Sequence, residues 1–171
     1  MSTVDKKVTW GLLAAWALND LEELVTMAAW SRRAVPRLRD RHPKLPARVV
    51  DQLRTTGPEA AVAIGLMGAV VALAAYRGDR TGGRSLLYQS VLAAFGAHAA
   101  THVGSALAYR GYTPGVVTAP TVVAPFAAWA FWRLHRAGVP IDRRALRAAL
   151  PLMGAVTAGV HVAARAALRR R

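Results

Sequence analysis

Residues 60–76 read AAVAIGLMGAVVALAAY, a run with no charge on any face of a helix. A surface helix of a soluble bundle alternates apolar residues at i, i+3, i+4 and i+7 with polar ones, and this run does not. It suits a bilayer instead, whose apolar core takes roughly 20 residues of helix to cross. Just before it stands Thr56-Gly57-Pro58-Glu59. That is a cap residue, a proline where an unpaired N–H is expected anyway, and an acid in the first turn. Glu59 therefore reads as a helix-end charge. Ala61, Gly65, Gly68 and Ala72 offer small surfaces on which neighbouring helices approach closely.

Four more apolar blocks of similar length flank this one. The expected spans are 8–30, 59–76, 85–109, 114–132 and 148–168. The chain thus reads as an all-α, polytopic transmembrane helix bundle of about five spans (four is the smaller alternative), one integral membrane domain over 1–171. Residues 31–58, rich in Arg and Pro, form a basic interfacial loop with an amphipathic stretch at 47–53 that lies along the headgroups. Trp10, Trp30, Trp129 and Trp132 fall near span ends, where an aromatic belt is expected. Pro120 and Pro125 remove backbone hydrogen bonds inside the fourth span and bend it.

The net charge of +14 raises the question of nucleic acid, and the placement of that charge answers it. Arg and Lys sit between the apolar blocks or at the chain ends, where they meet lipid phosphates. They do not form one solvated face with interleaved readers, so no nucleic-acid partner is expected. With no cysteine, disulfides, thiolate catalysis and Cys-based metal sites are excluded. Lys6-Lys7, an apolar 8–18 and Ala15-Trp16-Ala17 outline a secretory leader. The apolar pattern resumes at Leu24, however, which favours an uncleaved first helix. Placing the first long loop in the cytoplasm puts slightly more Lys and Arg inside. The expected location is a multi-pass one in the cell membrane, most naturally a bacterial plasma membrane.

The chemistry is concentrated in Asn19-Asp20-Leu21-Glu22-Glu23, midway along the first span. An ionisable residue at the bilayer centre costs on the order of 2.5–3.5 kcal/mol on insertion scales. These acids therefore need water, a proton, a cation or a partner side chain. Asn19, Glu22, Glu23 and Thr26 share one helix face. The third span adds His98 and His102 at i, i+4, and the fifth adds His161. Counted from the expected helix starts, Glu22, Glu23, His98, His102 and His161 lie at one level, roughly 20–25 Å along three parallel helices. Two carboxylates and three imidazoles at one depth are a ligand set for zinc, iron or manganese. A proton relay and a structural polar network are the alternatives. His42 and His135 sit among basic residues and are read as interfacial. Neither a serine nucleophile elbow nor a phosphate loop is present, and no organic cofactor is indicated.

These residues resemble the HXXEE family of small bacterial membrane proteins, whose first helix carries His-x-x-Glu-Glu. Here the motif is Asn19-Asp20-Leu21-Glu22-Glu23. His98-x-x-x-His102 and Tyr112-Thr113-Pro114-Gly115-Val116-Val117-Thr118-Ala119 are similar to that family's second block. The resemblance carries no established reaction, but buried acids and histidines imply an enzyme or a metal site. Asn19 stands where the motif has histidine, and an amide is a weak ligand that cannot act as a base near neutral pH.

The leading expectation is a membrane-embedded, metal-dependent enzyme acting on a lipid-like or apolar substrate. Glu22, Glu23 and Asn19 are its candidate catalytic residues, and Glu22, Glu23, His98, His102 and His161 its candidate ligands. A proton-coupled transporter and a non-catalytic accessory subunit are the competing expectations.

Overall fold

The computed structural model describes residues 4–44, 46, 50 and 53–169. A short α1, Lys6–Thr9, is capped by the Asp5 carboxylate and leads through Trp10 into α2, Gly11–Arg41. Then come α3, Gly57–Arg80, and α4, Leu86–Tyr109. A π-helical turn, Ala119–Val123, continues directly into α5, Ala124–Arg136, and α6 spans Arg143–Leu168. Among the described residues there is no strand, and the fold is an all-α bundle of five main helices.

Local chemistry sets the boundaries. Thr56 caps α3 with Pro58 in its first turn, Ser85 caps α4, and Asp142 caps α6, each side chain accepting a first-turn N–H. Gly82 and Gly83 adopt positive φ to turn the chain between α3 and α4. The π turn ends against Pro125, which has no N–H to continue an α-helical ladder.

Several boundaries differ from the expectation, α3 running on to Arg80 and the fourth span lying at 119–136, and two of the differences bear on the site. Helix α2 continues past Trp30 to Arg41, with Pro36 inside it, so residues 31–41 of the expected interfacial loop are helix. No breaker stands between Ser31 and Pro36, and polar side chains past the apolar stretch do not by themselves end a helix. Helix α6 starts at Arg143, earlier than the expected 148, because Asp142 supplies the cap. The stretch expected to be amphipathic, 47–53, lies outside the described residues apart from Val50 and Leu53.

The helices close a ring. α2 packs on α3, α3 on α6, α6 on α4, α4 on the π turn and α5, and the π turn back on α2. Helices α2, α4 and α6 run in the same direction. At one end the buried Tyr88 hydroxyl donates to Val8 O at 2.6 Å, and at the other Arg41 donates to Tyr109 O at 3.2 Å. Gln89 locks the first end, donating to Gly83 O at 3.0 Å and Pro140 O at 3.1 Å and accepting from Asp142 N at 2.8 Å. Leu12, Leu92, Val123 and Leu134 are completely buried around these contacts. At the second end Glu59 is more than a helix-end charge: it accepts from Arg165 Nε of α6 at 2.5 Å.

α3, α4 and α6 are long and apolar enough to cross a membrane. Helix α2 is long enough, but it carries Asp20, Glu22 and Glu23 mid-length. In the fourth expected span, 114–117 form a turn, and the π turn at Ala119–Val123 leads into α5.

Gln89→Leu deletes three hydrogen bonds, one buried and two part-buried, and strands two carbonyls and an N–H. The expected loss is about 2–4 kcal/mol, seen as a lower unfolding midpoint in thermal denaturation of the detergent-solubilised protein. A midpoint equal to wild type contradicts this account of the helix ends.

Candidate metal centre

The acidic turn of α2 meets two different partners. Glu22 is held by the segment that joins α4 to the π turn. Its Oε1 accepts from the Tyr112 hydroxyl at 2.7 Å and Val117 N at 3.3 Å. Its Oε2 accepts from Thr118 N at 2.9 Å and the Thr118 hydroxyl at 2.6 Å. Hydrogen bonds to a charged acceptor contribute about 1.5–3 kcal/mol each, so four donors hold this carboxylate firmly. Burial raises the Tyr112 phenol above its ordinary value and the neighbouring Glu22 carboxylate adds to that, so Tyr112 remains a donor.

Glu23 faces the histidines of α4. Its Oε1 lies 3.1 Å from His102 Nε2 and 3.9 Å from His98 Nε2. The three side chains each bring a ligand atom to within 4.8 Å of the others. Helical i, i+4 spacing stacks the two imidazoles edge to face, 4.2 Å between centroids.

The far nitrogens fix the protons. His102 Nδ1 lies 2.9 Å from the Pro114 carbonyl, which can only accept, so Nδ1 carries the hydrogen. The Thr101 hydroxyl donates to His98 O at 2.7 Å and therefore accepts from His98 Nδ1 at 3.0 Å. Where these rings are neutral, Nε2 is then the lone pair. His102 Nε2 is buried and, although close to Glu23, is not aligned with any hydrogen-bond partner. Glu23, His98 and His102 each bring an atom able to bind a cation to the same place. Tetrahedral ligands bound at about 2.0–2.1 Å stand about 3.3 Å apart; Glu23 and His102 stand at 3.1 Å and Glu23 and His98 at 3.9 Å, so the first pair is at that spacing and His98 is slightly outside it. The residues fit a divalent cation, and the two Nδ1–H bonds are the outer-shell supports that such ligands use.

Asn19 is completely buried between the two carboxylates. Its amide donates to Glu23 Oε1 at 3.1 Å, and its carbonyl lies 3.0 Å from the Thr118 hydroxyl. That hydroxyl has one proton, and Glu22 is the nearer acceptor at 2.6 Å. Asn19 thus orients Glu23.

Of the five expected ligands, the structure brings together Glu23, His98 and His102. Glu22 is instead committed to the 112–118 segment. His161 lines the same cavity but stands outside the group. The earlier start of α6 puts it about 7.5 Å further along its helix than the expected start implied.

Sequence reasoning passed over Thr101, Pro114 and Thr118 as parts of the site. Two of them lie in the 112–119 string that carried the family resemblance, and that string was their available signal.

A cavity of about 160 Å³ borders the cluster, ringed by α2, α3, α4 and α6. Asp20, Glu23, His98 and His161 line it alongside Trp16, Met67, Val91 and Leu152.

The family of proteins of unknown function with an HXXEE motif matches residues 10–130, and the chain belongs to it. No curated protein and no solved structure matches the chain.

Gly115, at φ 81, crosses directly over His102, and a Cβ there meets the imidazole ring. Gly115→Ala therefore displaces His102 and strains the turn by about 1–2 kcal/mol. Affinity for added zinc is expected to fall about 10- to 100-fold, read by competition against a chromophoric chelator. Unchanged affinity contradicts the placement of His102.

Proposed function

We propose that this protein is a multi-pass protein of the bacterial plasma membrane and a metal-dependent enzyme acting on an apolar or lipid-like substrate. The observation that carries the reading is the convergence of Glu23, His98 and His102, whose candidate ligand atoms lie within 4.8 Å of one another, with Glu23 Oε1 at 3.1 Å from His102 Nε2 and 3.9 Å from His98 Nε2. Two imidazoles and a carboxylate are donors for zinc, iron or manganese. A three-ligand set also leaves coordination positions open, as in catalytic sites. The cation, when bound, activates water or polarises an oxygen of the substrate. The chain's own contributions are separable. Glu23, His98 and His102 hold the ion, Asn19 orients Glu23, and Glu22 fastens the 112–118 segment whose Pro114 carbonyl fixes the His102 ring. The membrane placement draws support from three helices with the length and apolarity to cross a bilayer. The apolar cavity beside the cluster is where a chain-like substrate reaches it.

A second reading rests on the same distances. A proton on His102 supplies the missing positive charge and makes Glu23 and His102 an ion pair at 3.1 Å, a proton-relay element suited to a carrier.

Elemental analysis separates the two. Protein purified without chelator is expected to carry about one zinc, iron or manganese per chain. Glu23→Gln, His98→Ala and His102→Ala are expected to lose it, whereas Glu22→Gln and His161→Ala retain most of it. Wild-type protein that stays metal-free after incubation with each ion overturns the enzyme reading and leaves the relay.

A further inference from the structure

The cavity beside the cluster is polar at one level and apolar towards the starts of α2 and α4. Glu23, His98 and His161 border it at the polar level, with Met27 and Ala60 beside them and Asp20 one turn along α2, while Trp16, Val71 and Val91 border it towards the starts of α2 and α4. Beyond Trp16 the bundle is solid: Leu12, Ala74, Tyr88 and Leu92 are completely buried. The Trp16 ring lies so close to α3 that a Cβ on Gly68 meets its Cη2 at 2.8 Å. Trp16 is therefore the floor.

The depth follows from the helices. Glu23 to Trp16 on α2 and His98 to Val91 on α4 are each seven residues, about 10 Å of rise. An extended hydrocarbon advances about 1.3 Å per carbon, so the space takes about eight carbons. The acids limit the head group. Asp20 and Glu23 both border the cavity, and a neutral oxygen head adds no like charge beside them, as an anionic head does.

We propose that the site takes a neutral, oxygen-headed, single-chain amphiphile of about eight to ten carbons, its oxygen at Glu23, His98 and His102 and its tail end against Trp16. This deepens the enzyme reading above and rests on it for the role of the head group.

The test uses the full chain in phosphatidylcholine nanodiscs and 1-alkanols of four to fourteen carbons brominated at the far carbon, a position from which bromine quenches a touching indole. Quenching is expected to peak at about eight to ten carbons, where the tail reaches the floor about 10 Å from the cluster. The peak is expected to vanish in Trp16→Phe, which removes the reporter, and in Val156→Phe, which fills the cavity from the half-buried face of α6. The matching bromoalkanoic acids are expected to bind at least about tenfold more weakly. Quenching that rises steadily with chain length, or that is equal for acids and alcohols, overturns the proposal, because it reports partition into the bilayer. The same preparations are assayed for metal. A peak in metal-free protein supports the chain site and removes the enzyme reading; bound metal with no peak does the reverse.

Discussion

Two carboxylates stand side by side on α2, and an apolar interior penalises each unpaired charge by several kcal/mol. Much of the local architecture answers that penalty. Glu22 is answered by four hydrogen-bond donors from the 112–118 segment. Glu23 is answered incompletely: Asn19 donates to it, but the nearest other groups are two imidazole nitrogens. This contrast is the centre of the account: a positive charge beside Glu23, from a bound cation or from a proton on His102 at 3.1 Å, completes what Asn19 begins.

One segment serves both carboxylates. Tyr112, Val117 and Thr118 donate to Glu22, while the Pro114 carbonyl takes the His102 Nδ1 hydrogen. The positive φ of Gly115 lets the backbone pass over the His102 ring. The π turn then starts against α2 and carries the chain into α5. The tie that stabilises Glu22 is therefore the tie that orients His102. Asn19 joins them from the α2 side, occupying the motif's histidine position with a group that donates to Glu23.

Much of this was legible in the sequence, for physical reasons. Uncharged runs such as 60–76 mark apolar helices whatever their neighbours, and odd-numbered spans run parallel whenever loops are short. The i, i+4 spacing of His98 and His102 forces a shared face. Rotation about the helix axis was not legible. Glu22 and Glu23 differ by about 100° around α2, enough to send one to the 112–118 segment and the other to α4. Nor was the true start of α6, where the Asp142 cap shifts His161 along the helix relative to the cluster. Thr118, Pro114 and Thr101 act through partners distant in sequence or through their own backbone, and single-residue patterns do not register that.

The most direct test of the central claim is X-ray absorption at the cobalt edge of the cobalt-loaded protein, cobalt standing in for zinc in the same ligand set. The account predicts four- or five-coordinate cobalt with the outer-shell scattering of two imidazoles, reduced to one in His98→Ala. Six oxygen ligands with no imidazole scattering, unchanged in that variant, contradict it.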